Sequence, residues 1–256
     1  MRDLIRPDDY PRSSRYDPAW LVGLDMGPNP LWLLEDLSRD LDLKPGMRVL
    51  DLGSGMGATS VFLAREFGVD VVAADLWIAP EKAEAVFAEA GVADRVRAVS
   101  AEAHALPFEP ESFDAVVSID AYEYFGTADS YLAYITRFLA PGGQLGIATP
   151  GMTREVRDLG VIPPHIKELV GWEAIAWHTA EWWRFQWDIT ELVTVTSARL
   201  QEDGWRDWLL WARACLEHQA NDRAADRDVV ERTIAMLEAD QGEYLSFALV
   251  TATKNT

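Results

Sequence analysis

Cys215 is the single cysteine in 256 residues, so no intramolecular disulfide framework can form and cysteine cannot by itself assemble a zinc site. A reducing compartment suits this usage, and no metal is expected. Long apolar runs are also missing: no uninterrupted stretch approaches the ~20 residues that a membrane span needs. The N-terminal MRDLIRPDDYPRSSRYDP lacks an apolar h-region. The expectation is a soluble, cytoplasmic protein without integral membrane association. Positive charge is scarce, with 23 Lys and Arg against 42 Asp and Glu and a formal charge of -19. That field repels a nucleic-acid backbone or an anionic membrane, and no dense Lys/Arg run overrides it.

What is present fits a globular enzyme-sized unit. With 49% hydrophobic and 25% charged residues, the chain can bury a sizeable core as one elaborated domain. Residues 1–18 read as an irregular lead-in and 30–41 as a helix. Then strand and helix signals alternate: strands at 47–53, 69–75, 96–102, 113–120 and 143–150, helices at 57–67, 80–90 and 128–139. Short, nearly continuous apolar strands between helices predict an α/β fold, a parallel sheet covered on both faces. Further on, Thr179 reads as the N-cap of a helix with Glu181 in its first turn. A strand follows at 192–197, helices near 204–220 and 223–240, and a last strand at 244–253.

Ligands of such sheets sit beyond the carboxyl ends of the strands, where the first strand meets its helix. There the chain has VLDLGSGMG, Val49 to Gly57. Gly53, Gly55 and Gly57 allow a sharp turn and close backbone approach, and the helix start offers amide donors. Asp75, ending the second strand, can accept both hydroxyls of a ribose. The spacing Gly53-x-Gly55-x-x-Ala58 also fits a dinucleotide fingerprint, so the loop alone leaves an NAD(P)-dependent oxidoreductase in play. Asp51 discriminates: a carboxylate there repels a pyrophosphate but suits the ammonium of an amino-acid moiety, as in S-adenosylmethionine.

At several separated sites the sequence resembles the class I S-adenosylmethionine-dependent methyltransferases. The resemblance lies in VLDLGSGMG, VVAADLW, AEAHALPF, FDAVVSIDAYEYFG and APGGQLGI, and covers roughly residues 45–150. Within the family the chain looks most like the branch with cyclopropane fatty-acid synthases and related small-molecule methyltransferases, through Tyr16-Asp17, GPNPLWL, Glu123 and Tyr124. The resemblance implies a Rossmann-like seven-stranded sheet whose last strand lies between the fifth and sixth. It implies S-adenosylmethionine as methyl donor, S-adenosylhomocysteine as product, and cofactor contacts from Tyr16, Asp51, Gly53, Ser54, Gly55, Asp75, Leu76, Glu102, Ala103 and Asp120. Mycolic cyclopropane synthases have histidine where this chain has Tyr124, and a cysteine that would fall near Gly27 to Pro30. Both departures point away from lipid cyclopropanation.

The organisation expected is a lead-in and helix at 1–44, a cofactor core at 45–150, a cap insert at 151–190, and C-terminal strands with a helical insert at 191–256. Eight of the eleven tryptophans fall between Trp172 and Trp211. Trp205, Trp208, Leu209, Ala212 and Leu216 recur at helical spacing and read as a buried face. Trp177, Trp182 or Trp183 is expected to line a substrate pocket. Methyl transfer to an O, N or C nucleophile needs alignment, and a base only where the nucleophile carries a proton. Asp120, Tyr122 and Glu123 are expected to face the methyl group, with His178 and, less favoured, His165 closing over it from the cap. His104 belongs with the adenine loop, and Tyr10 and Tyr16 are candidates for a lid. No Tyr-x-x-x-Lys pair supports the oxidoreductase. A non-methylating reaction, such as an intramolecular displacement or cyclisation, is the other alternative. The partner is a small molecule, and self-association into a homo-oligomer is left open.

Overall fold

A computed structural model describes residues 1–218 and 224–255. The lead-in carries short 3-10 turns and then helices α1 (Pro18–Gly23) and α2 (Pro30–Leu37). Both helices start on a proline behind a capping side chain, Asp17 and Asn29 respectively, which fixes where each begins. The central run is β1 (Arg48–Leu52), α3 (Ala58–Phe67), β2 (Asp70–Asp75), α4 (Pro80–Glu89), β3 (Val96–Ser100), β4 (Phe113–Ile119), α5 (Tyr131–Ile135) and β5 (Leu139–Met152). Helices α6 (Val156–Leu159), α7 (Pro164–Val170) and α8 (Ala180–Asp188) follow. The chain ends with β6 (Val193–Leu200), α9 (Gly204–His218), α10 (Ala224–Asp240) and β7 (Leu245–Lys254). The sequence-expected helix ends at 219–220 and 223 lie outside the described residues.

One seven-stranded sheet has the order β3-β2-β1-β4-β5-β7-β6. The first five strands are parallel, while β7 runs antiparallel between β5 and β6. The sheet buries both faces, so alternate residues of a strand feed different cores. Val49 of β1 joins one cluster with α2, α3 and α9, and Leu50 and Leu52 join the other with α5 and α8. The expected strands and central helices are all present, but α1, α6 and α7 were not foreseen, β5 begins at Leu139 and not 143, and the helix foreseen at 128–139 is short, tightening into a 3-10 turn at Thr136–Phe138.

Trp177, Trp182 and Trp183, expected at a substrate pocket, do not line the cavity at the carboxyl edge. Trp183 and Trp187 are fully buried and pack edge-on around Tyr122, and Trp177 lies against Trp208. Adjacent Trp182 and Trp183 do diverge: Trp182 is half-buried and stacks flat on His178 at 3.5 Å. On α9 the buried stripe is Asp207, Trp208, Trp211, Ala212 and Cys215, with Trp205, Leu209 and Leu216 only half-buried. The stripe is rotated from the expected one because the lead-in covers it. Tyr10 donates to Asp207 at 2.5 Å and stacks on Trp32, while the Trp211 indole donates to Asp25 and to the Gly27 carbonyl.

Candidate active site

A cavity of about 310 Å³ opens at the carboxyl ends of β1, β2 and β4. Its floor is the loop Gly53–Met56, and its walls include Asp75, Leu76, Trp77, Glu102, Ala103, His104, Asp120 and Tyr124. The lead-in closes one side through Leu24, Met26, Gly27, Pro28 and Pro30.

The loop is fixed by its neighbours before any ligand arrives. Gly53 has φ +77, and a Cβ there would lie 2.3 Å from that of Ala121, so only glycine lets this turn pass beneath the end of β4. Its amide and that of Ser54 donate to the Ala74 carbonyl. Asp75 then acts as a clamp: Oδ2 accepts the Gly55 amide at 2.9 Å, and Oδ1 accepts the amides of Trp77 and Ile78 at 2.8 and 2.9 Å. The carboxylate expected at a ribose therefore also holds two cavity loops together.

Asp51 lies differently from expectation. It is fully buried beneath the loop rather than lining the cavity, and Oδ2 accepts the hydroxyls of Thr59 and Ser60 at 2.6 Å each. Burial pushes its carboxyl up to about 6, against the opposing pull of those hydroxyls. It ties β1 to α3, and the turn between them is held in consequence. Glu102 lies at the surface end of the cavity, accepting from the amide of His104 and facing its ring Nδ1 at 2.7 Å. These contacts hold its carboxyl below the usual range.

Past β4 the chain turns sharply, with Asp120 at φ 53, a left-handed conformation that non-glycine residues adopt at a cost. The turn separates the three candidates that follow it. Asp120 faces the cavity. Glu123 is buried behind it, accepting the Thr149 hydroxyl at 2.6 Å. Burial pushes Glu123 up to about 7, and burial, then the charges of Glu123 and Asp25, hold Asp120 well above the usual carboxylate range. Tyr122 points the other way, fully buried among Phe125, Tyr131, Trp183 and Trp187. It does not face the cavity.

Two further expectations are corrected. Tyr16 is no lid: its ring packs on Phe62 and Trp20, and its hydroxyl donates to Glu66 on α3. His178 does not line the cavity either; its Nδ1 lies 2.9 Å from Glu155, whose other oxygen accepts from Thr179. Burial pushes Glu155 up, but the bonds from His178 and Thr179 prevail and hold it low. His165 pairs with Asp240 at 2.9 Å. No residue of 151–190 lines the cavity, although the charge of Glu173 reaches Tyr124. Met26, Gly27, Trp77 and Phe125 line it without having been singled out. The position of Trp77, just past the end of β2, was the available signal.

Residues 49–143 match a family model described as a methyltransferase domain. Methyltransferase GfsG of Streptomyces halstedii is 32% identical over 144 residues, covering 54% of this chain and 48% of the relative. The chain thus spans about half the length of the curated relatives it matches. Among solved structures, phosphoethanolamine N-methyltransferase 2 of Haemonchus contortus, in complex with S-adenosyl-L-methionine, superposes with a TM-score of 0.74 at 23% identity, covering 100% of this chain and 60% of that one. The [4+2]-cyclase SpnF gives 0.71 at 19% identity, covering 100% and 95%. Residues 49–143 thus match a methyltransferase domain, and the seven-stranded sheet has the fold of the class I S-adenosylmethionine-dependent methyltransferases.

Proposed function

We propose that the protein transfers a methyl group from S-adenosylmethionine to a compact small molecule bearing an O, N or C nucleophile. The observation that carries this reading is the cavity at the carboxyl edge, bounded by the clamped glycine loop and by Asp120. The donor supplies an electrophilic methyl on a sulfonium. Gly53, Ser54 and Gly55 are the floor for its amino-acid end, Asp75 holds the ribose, and Leu76, Glu102 and Ala103 border the adenine. Asp120 stands at the acceptor end, where it can take a proton from the nucleophile. Glu123, behind it, sets how readily Asp120 does so, because two neighbouring carboxyls resist joint ionisation. Tyr122 supports the wall through packing, and His178 stiffens the 151–190 segment through Glu155 and Trp182.

The lead-in, which closes one side of the cavity through Leu24, Met26, Gly27, Pro28 and Pro30, is the part that bears on acceptor choice in this reading. Among the described residues no helix is long and apolar enough to cross a membrane, and the acidic charge supports a free cytoplasmic substrate rather than nucleic acid. Likeness to SpnF along nearly its whole length keeps a non-methylating reaction as the second reading. Incubation with trideuteromethyl-labelled donor and fractionated metabolites, followed by mass spectrometry, separates the two. Methyl transfer yields a labelled product and S-adenosylhomocysteine; the second reading yields neither while the donor stays bound.

A further inference from the structure

The cavity has a one-sided chemistry. Its ionisable lining consists of Asp75, Glu102, Asp120, His104 and Tyr124, with no lysine or arginine among the described residues. Two of the carboxylates are engaged: Asp75 by the amides of Gly55, Trp77 and Ile78, and Glu102 by His104. Asp120 is the remaining one, with no side-chain hydrogen bond among the described residues. It is wedged against the lead-in so closely that a Cβ on Gly27 would lie 2.4 Å from its Oδ2. Glu123 and Asp25 add negative charge behind it.

Facing the same cavity are two aromatic rings that lie open to solvent. Trp77 is 70% exposed and Tyr124 63% exposed, their rings edge to face with centroids 5.7 Å apart. The charge of Asp120 reaches the Tyr124 hydroxyl, so carboxylate and rings bound one space. Exposed aromatic faces beside a carboxylate attract an organic cation. At the Asp120 end, a phosphate or carboxylate group on the acceptor would meet acids, with no lysine or arginine lining the cavity among the described residues. A bare metal ion is a poor alternative, because no group of His, Cys, Asp and Glu among the described residues is arranged to hold one.

We propose that the acceptor is an organic ammonium compound lacking an anionic group, its cationic nitrogen seated between Asp120 and the rings of Trp77 and Tyr124. This deepens the methyl-transfer reading and rests on it. Burial first, and then the charges of Glu123 and Asp25, raise the proton affinity of Asp120, and a cation lodged against it offsets that charge crowding.

The test uses three probes of one shape and different charge: choline, neutral 3,3-dimethylbutanol and anionic 3,3-dimethylbutanoate, each titrated calorimetrically into protein saturated with S-adenosylhomocysteine. Choline should bind about tenfold or more tighter than the alcohol, and the anion more weakly than both. Asp120→Asn should remove most of choline's advantage over the alcohol, and Trp77→Ala should shrink it about fivefold, each variant being saturated with S-adenosylhomocysteine before the titration. Equal binding of choline and alcohol, no choline binding, or an advantage that survives both variants overturns the proposal. It is also overturned if Asp120→Asn instead erases a preference for S-adenosylmethionine over S-adenosylhomocysteine, because the cation at Asp120 is then the sulfonium. Failure of the nucleoside itself to bind would instead sink the methyl-transfer reading. Trp77 is exposed, so its variant folds even if the Asp120 variant does not.

Discussion

Asp75→Asn perturbs the carboxylate that clamps the cofactor loop and, in the proposed reading, also meets the ribose. The wild-type carboxylate accepts the Gly55 amide on Oδ2 and the amides of Trp77 and Ile78 on Oδ1. Asparagine keeps one acceptor oxygen, which the Trp77 and Ile78 pair can retain, and turns an NH₂ donor toward the Gly55 amide. A charge-assisted bond becomes a donor facing a donor. Losing a hydrogen bond to a charged group costs about 1.5–3 kcal/mol, which corresponds to roughly 10- to 100-fold in affinity. Without ligand, the half-exposed loop can turn its Gly55 amide to water, so the melting temperature should fall by no more than about 3 °C. The assay is calorimetric titration of S-adenosylhomocysteine into both proteins beside a thermal melt. Affinity within twofold of wild type would refute the clamp. So would a large drop in melting temperature without a matching loss of affinity, because the residue would then serve the fold and not the site.

Four other outcomes follow from the geometry. Asp51 has its carboxyl raised to about 6 by burial, so its contribution lowers stability as pH rises from the unfolded value near 4 through about 6. The stability of Asp51→Asn relative to wild type should therefore improve by about 1 kcal/mol between about pH 5 and pH 7, read as a shift of a few degrees in the difference between their melting temperatures; a pH-independent difference contradicts it. Glu123→Gln is expected to lower turnover by about 10² or more with nucleoside affinity nearly unchanged, whereas His178→Ala, outside the cavity, should cost stability and less than about tenfold in turnover. Steady-state kinetics in which His178→Ala is the more damaging would reverse the assignment. Trp187→Ala should destabilise by about 3–5 kcal/mol in urea unfolding, as expected for emptying a fully buried indole site.

The sheet was legible because its strands are short apolar runs and its glycine loop follows the first of them. Strand parity, by contrast, could not be carried past Ile119. The left-handed backbone at Asp120 breaks the alternation, sending Asp120 to the cavity and Tyr122 into the opposite core. The tryptophans show the same loss of information. Helical spacing marks a buried face on α9, but only the docking of Tyr10, Trp32 and Asp25 decides that Trp211 lies beneath it. Tyr16 carried a resemblance to a cofactor contact, yet its ring is seated by nearby Trp20 and by Phe62, the latter so remote in sequence that no local pattern discloses it. The place of β7 between β5 and β6 came from family resemblance, because strand order within a sheet leaves no periodic trace in the sequence.

The central claim is that the cavity beneath Trp77 and Tyr124 holds S-adenosylmethionine, and the most direct measurement is calorimetric titration of the wild-type protein with S-adenosylmethionine, S-adenosylhomocysteine and NAD in parallel. The cavity and its Asp75 clamp predict dissociation constants for both sulfur nucleosides in the micromolar range or tighter, about −8 kcal/mol, with NAD bound far more weakly. NAD binding as tightly as either, or no binding of the sulfur nucleosides at millimolar concentration, would contradict it.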